Sequence, residues 1–319
     1  MNIGLVLGAG GVTGGAYLAG ALAALENDLG WDARTADVIV GTSAGSLVGA
    51  LLRSGVPAAD LAAWAVGAHL SDDAIDLLGP VAHPHFDPVR LRQFLRPLRI
   101  PRPSSLWSAL RHPGNFDPMR ALVMHLADGS RDLRPDVDFL GDAWPDQPFF
   151  CCAVRRSNGV RTVFGRERIP EDGLAAAVAA SCAVPGYFAP VEVDGSLYLD
   201  GGVASPTNVA ALRDVELDLV IAVSPMSSEV PRSGFSVEAL VRDKAGRKLR
   251  SELAVLERRN ISTVVLEPGP RVLEHLNADF MSDSGAADIV LTAFMETGTQ
   301  LRKTALPDLL GQPALEAAG

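Results

Sequence analysis

Apolar residues in this chain fall in short unbroken runs, and several of these runs lead into stretches whose apolar positions recur with a helical period. Ile3 to Leu7 is the first run. A glycine-rich stretch from Gly8 to Gly15 follows and reads as a turn. Leu18, Ala21, Leu22 and Leu25 then repeat at i, i+3, i+4 and i+7 and predict a helix. Asp37 to Val40 is the next strand, and it passes through Gly41-Thr42-Ser43-Ala44-Gly45 into a helix expected from about Ser46 to Leu52. Two strand–tight turn–helix units before Pro57 imply a parallel sheet covered on both faces, because parallel neighbours need crossover connections and the crossover helices shield the faces.

The pattern breaks between about Val56 and Pro148. Segments such as HPH, DPV, RPL, IPRP and HPG interrupt any long helix. This region reads as a Pro- and Arg-rich helical and loop insertion over one end of the sheet, with a lid and plain connecting structure both open. Alternation then resumes. Strands are expected at Phe149–Val154, Arg161–Phe164, Val191–Leu199, Leu217–Val223 and Thr263–Leu266, with helices at about Leu174–Cys182, Val237–Arg259 and Ala286–Thr304. The expected architecture is a three-layer α/β/α fold with a mostly parallel central sheet. It is read as one domain, with core motifs over residues 2–212, the insertion at about 56–148 and a strand–helix extension at 213–305.

Composition narrows the partners. With 319 residues and 48% hydrophobic side chains the chain can bury a large core. No apolar stretch approaches the roughly 18–20 residues of a spanning helix, and the N-terminal run has no basic region ahead of it, so a cytoplasmic protein is expected. A net charge of −10 argues against nucleic acid. The charge is uneven, however: nine arginines stand against four aspartates between Pro84 and Arg134, and a second basic stretch runs from Arg242 to Arg259. Each reads either as a solvated face with acidic neighbours or as a peripheral docking surface for an anionic membrane. Cys151, Cys152 and Cys182 lack metal-ligand spacing and read as core thiols.

Three motifs carry chemistry. Gly41-Thr42-Ser43-Ala44-Gly45 matches G-x-S-x-G with a strand leading in and an apolar helix leading out, as a nucleophile elbow requires; the bland alternative is a helix start with Ser43 as a simple N-cap. The glycines from Gly8 to Gly15 can converge backbone N–H groups on an anion. An acyl hydrolase aims such donors at its oxyanion, where losing one costs roughly 3–4 kcal/mol. A dinucleotide-binding oxidoreductase also begins with a Gly-rich loop, but it wants an acidic residue at the end of the next strand, where this chain has GTSAG. Asp200-Gly201-Gly202 places a carboxylate at the end of a strand; alone it reads equally as an Asp-Gly turn. A serine hydroxyl needs a positioned base. His275, on a polar stretch, is the only histidine after Asp200, and the others, His69, His83, His85, His112 and His125, fall in or near the insertion. A Ser43–Asp200 dyad therefore fits the sequence better than a histidine triad.

These motifs, in this order, resemble the patatin-like phospholipase family, most closely in ASCAVPGYFAPVEVDGSLYLDGGVASPTN from Ala180 to Asn208. The resemblance implies hydrolysis of fatty acyl esters by Ser43 as nucleophile and Asp200 as base, with Gly41, Gly45, Gly201 and Gly202 completing the motifs. Gly10, Gly11 and Val12 are implied as oxyanion-hole amides, and no metal or cofactor is implied at the dyad. One departure is visible: the family's glycine loop commonly carries Arg or Lys before its last glycine, and this chain has Val12-Thr13-Gly14 there. A catalytically silent lipid-binding protein is the alternative that this departure keeps open.

Overall fold

The computed structural model describes residues 1–78, 126, 128–230, 237–276 and 280–311. Strand β1 (Ile3–Leu7) runs into helix α1 (Gly11–Leu29), and β2 (Val38–Thr42) runs into α2 (Ala44–Arg53). Then come α3 (Ala58–Ala65), α4 (Asp72–Leu78), α5 (Arg134–Val137), β3 (Phe149–Arg155), β4 (Arg161–Phe164) and α6 (Gly173–Ser181). Strands β5 (Val191–Val193), β6 (Ser196–Asp200) and β7 (Leu219–Val223) lead to α7 (Val237–Glu257) and β8 (Ser262–Leu266). Helices α8 (Pro270–His275), α9 (Ala286–Leu301) and α10 (Leu306–Leu309) follow.

The described strands form one sheet in the order β5-β6-β3-β2-β1-β7-β8, with β4 also paired to β3. The pairs β1–β2, β1–β7, β2–β3 and β7–β8 are parallel; β3–β4, β3–β6 and β5–β6 are antiparallel. Alternate residues of each central strand enter two separate cores, which explains why the strands read as unbroken apolar runs. Leu5, Leu7, Ile39, Phe149, Cys151, Ile221 and Val223 pack in one core with α1, α2 and α6. Val6, Val38, Val40, Phe150, Cys152, Val220 and Ala222 pack in the other with Leu249, Leu253 and Leu256 of α7. The expected three layers are present.

The register along β3 positions the site. Strand β4 covers one edge of β3 from Cys151 to Val154. On the other edge β2 pairs parallel as far as Thr42 opposite Cys152, and β6 pairs antiparallel from Asp200 opposite Ala153. Two strands thus meet head-on along a single edge, with their carboxyl ends abutting. Thr42 and Asp200 face consecutive residues of β3.

Two expectations need correction. The stretch from Gly11 to Gly15 is the first part of α1 rather than a turn; its small residues let a helix start directly against the strand. The single strand expected at Val191–Leu199 is a hairpin, turned at Asp194 (φ 46°) and Gly195 (φ 70°). Both central residues have positive φ, as a type I′ turn demands, and Asp-Gly is its common sequence. Within the expected insertion, α3, α4 and α5 are seen, and most of the Pro84–Arg134 segment lies outside the described residues. Of its arginines, Arg131 pairs with Asp136 at 3.0 Å and Arg134 with Asp172 at 3.7 Å.

Candidate active site

Ser43 stands where β2 turns into α2, with φ 53° and ψ −126°. A non-glycine residue in this region is strained by roughly 1–3 kcal/mol. Neighbouring bonds hold it there. The Ser43 carbonyl accepts from Ser46 N at 2.7 Å and from the Ser46 hydroxyl at 2.6 Å. The Ser43 N–H donates to Ser181 Oγ at 2.9 Å, and the Ser181 hydroxyl donates to Cys152 O at 2.7 Å. Ser181 thereby ties the turn to the central strand. The flanking glycines are sterically required: a Cβ on Gly45 would lie 2.1 Å from Leu7 O, and one on Gly41 would lie 2.5 Å from Ser46 Cα. Although Ser43 occupies the N-cap position of α2, its side chain makes no capping bond. The hydroxyl is therefore not spent on the helix start.

Asp200 is 5% exposed and Ser43 4%. Burial pushes the Asp200 carboxyl from 3.8 up to about 6, while hydrogen bonding from the Ser43 hydroxyl and from Gly202 N, the latter at 2.7 Å to Oδ1, pulls it back down. Desolvation wins because two donors replace only part of a water shell. Gly201 allows the close passage of this turn, since a Cβ there would lie 2.1 Å from Cys152 O.

Asn208 locks the two turns together. It is fully buried with φ 51°, and its amide nitrogen contacts Thr42 Oγ1 at 3.1 Å, Gly201 O at 3.2 Å and Ser205 O at 2.7 Å. Thr42 precedes Ser43 and Gly201 follows Asp200, so one side chain bridges both strand ends. Asn208→Ala is expected to lower stability by about 2–4 kcal/mol, through orphaned buried acceptors and the left-handed backbone that alanine disfavours. A urea midpoint within error of wild type would remove this role. Ser181 and Asn208 escaped the reading of the sequence. Both lie in the Ala180–Asn208 block, but short polar residues there carry no periodic signal.

Ser43, Ala44, Gly11, Val12 and Cys182 share the wall of a cavity of about 600 Å³ whose lining is mostly apolar. Cys182 packs partly buried against the core and also lines this wall, whereas Cys151 and Cys152 are fully buried. Cys182 sits beside Ser43 and Asp200, 3.6 Å from Ser46 Oγ, and burial together with the nearby Asp200 pushes its thiol up to about 12. It stays protonated. The amides of Thr13 and Gly14 are occupied by Phe280 O and Gly10 O. Among the described residues, no acceptor is found for the backbone N–H of Gly10, Gly11, Val12 or Ala44. Gly11 has φ 63°, and a Cβ on it would lie 2.3 Å from Phe280 O, so the loop admits only glycine there. The N-termini of α1 and α2 both face this wall, where their dipoles favour negative charge.

No histidine lines the cavity among the described residues, and no cluster of His, Cys, Asp and Glu suited to a metal is found among them. His275 ends α8, and His69 is exposed. A second cavity of about 540 Å³, lined by Gly269–Arg271 and residues of α9, contains none of the motif residues. On α7, Arg242 pairs with Glu238 at 3.1 Å and Lys248 with Glu252 at 3.3 Å, and Arg247 pairs with Asp243. The basic stretch there is in large part a face with acidic neighbours. No helix among the described residues is long and apolar enough to cross a membrane.

The fold is that of an α/β protein with a mostly parallel sheet, and its serine stands on a strained strand-to-helix turn that opens onto an apolar cavity at the carboxyl edge. The family model described as Patatin-like phospholipase matches residues 5–213, and the chain belongs to the patatin-like phospholipase family. Uncharacterized NTE family proteins of Mycobacterium bovis and Mycobacterium tuberculosis are each 39% identical over 84 residues, which is 26% of this chain and 23% of the relative. The chain thus matches less than a quarter of the length of these relatives. VipD from Legionella pneumophila aligns over 93% of this chain and 67% of its own, with 13% identity and a TM-score of 0.39.

Proposed function

We propose that the chain is a serine lipid acyl hydrolase working through a Ser43–Asp200 dyad in one patatin-like domain, metal-free and peripheral to a membrane surface. The observation that carries this reading is an uncapped, strained hydroxyl at the wall of an apolar cavity, near enough to the buried Asp200 carboxylate to lower its proton affinity by hydrogen bonding. Asp200 accepts the hydroxyl proton as Ser43 Oγ bonds to the acyl carbonyl carbon. The carbonyl oxygen takes the negative charge, and the amides of Gly10, Gly11 and Val12 stabilise it. When the tetrahedral intermediate collapses, the alkoxide leaves and takes the proton back from Asp200. Water then attacks the acyl-enzyme, giving its proton to Asp200, and the fatty acid departs as Ser43 is reprotonated.

The test is a panel of phospholipids, lysophospholipids and triacylglycerols incubated with the protein, with released fatty acid measured by mass spectrometry. Release from at least one class supports the reading. Vesicle binding with no release from any of them would favour the silent lipid-binding alternative.

The base also sets the pH dependence. A carboxylate held up to about 6 is protonated, and so inactive, at lower pH. kcat/KM is therefore expected to rise through about pH 6 and level off above it. A profile that is flat from pH 5 to 8, each end within about a factor of two, would remove Asp200 from the role of base.

A further inference from the structure

We infer that the cavity takes one unbranched acyl chain of medium length, laid end-on between α1 and α2, and that Gly15 and Ala19 set the length accepted. This deepens the acyl-hydrolase reading above and rests on it. The two helices begin side by side at the reacting end, at Gly11 and Ala44, and run away from the sheet edge in the same direction. Ala44, Leu47 and Leu51 line the cavity along α2, at the i, i+3, i+7 spacing of one helix face. The facing line on α1 includes Gly15 and Ala19, so the groove is widened chiefly by small side chains on the α1 side.

Gly15 differs from the other glycines of this region. A Cβ on Gly10, Gly11 or Gly45 would collide within 2.6 Å of backbone, whereas one on Gly15 would meet only the Ala44 Cβ, at 4.0 Å. Packing does not require glycine at 15; the space it leaves belongs to the cavity. Further along the two helices from Gly11 and Ala44, the cavity is lined by Ala19, Leu51 and Leu61, all at most 2% exposed. From Ala44 to Leu51 the helix rises about 10 Å at ~1.5 Å per residue. An extended chain advances about 1.2 Å per bond, judging from ~3.5 Å per three-bond residue, so the groove holds an acyl chain of roughly eight to ten carbons.

The experiment compares wild type, Gly15→Leu and Ala19→Phe on nitrophenyl esters from butyrate through decanoate to palmitate, with mass spectrometry of Ser43 after treatment with ethyl and decyl fluorophosphonates. Wild type is expected to prefer decanoate over palmitate. Gly15→Leu should lower the decanoate-to-butyrate ratio by at least about tenfold, the scale on which an apolar pocket rejects excess methylenes. Ala19→Phe, which blocks the groove further from Ser43, should shift the preference less. Gly15→Leu has room for its Cβ and removes a helix-interior glycine, so it is expected to fold. Failure of Ala19→Phe to fold would leave the Gly15→Leu ratio to decide. A ratio unmoved by Gly15→Leu, with Ser43 labelled by both probes, overturns the inference alone. Wild-type protein that neither probe labels at Ser43 overturns the acyl-hydrolase reading and this inference with it.

Discussion

Ser43→Ala is expected to abolish ester turnover, by at least ~10⁴-fold, and to remove all labelling by a fluorophosphonate, while leaving the fold intact. The substitution deletes one oxygen. That oxygen caps no helix, and the carbonyl and N–H bonds that hold the turn belong to the backbone of residue 43 and survive. Alanine meets the same strained φ and ψ as serine, so the loss of stability should be limited to the hydroxyl's hydrogen bonding to buried Asp200, about 1–3 kcal/mol. Peptide mapping of the labelled wild type checks the assignment directly. A label carried by another residue, or unchanged turnover by the variant, would mean that the elbow is a structural turn only.

Asp200→Asn is expected to act in opposite directions on rate and on stability. Removing the proposed base should cost about 10²–10⁴-fold in kcat. Asparagine keeps an oxygen for the Gly202 amide, so the turn is retained. The stability effect follows from the proton. An aspartate with an ordinary value of 3.8 and a folded value of about 6 holds its proton more tightly in the native state. Native stability is therefore greatest below pH 4, falls as pH rises from about 4 to 6, and stays lower above. Asparagine carries no such penalty. The variant should exceed wild type by up to about 3 kcal/mol at pH 8, and this advantage should shrink to under about 1 kcal/mol by pH 4. Urea unfolding at the two pH values measures it. A variant that is less stable at pH 8 would show that the hydrogen bonds to the carboxylate outweigh its desolvation. An inactive enzyme that gains stability would show a group kept for chemistry at the expense of the fold.

Much of this protein was legible in its sequence because the information is local. Apolar runs marked the central strands to within a residue or two, since a strand buried on both faces has no polar positions to blur it. The elbow was legible too, because a turn this tight demands glycine at 41 and 45 whatever surrounds it. The hairpin at Asp194-Gly195 carried a local signal that was outweighed by the unbroken look of Val191–Leu199, an apolar–polar alternation that continues straight across the turn. Cys182 shows a related limit: small and apolar, it packs against the core as expected, and only the cavity shows that it also faces an opening.

The partnership of Ser43 and Asp200 belongs to the tertiary structure. Nothing in the spacing of residues 43 and 200 states that their strands end against each other; that follows from β4 covering one edge of β3 and leaving β2 and β6 to share the other. Periodicity records which face of an element is buried, whereas register between distant strands is decided by packing and backbone pairing that no single segment contains. The same reason hid Asn208, whose amide bridges both strand ends, and the groove between α1 and α2, whose empty volume is a property of two helices together and of neither sequence alone.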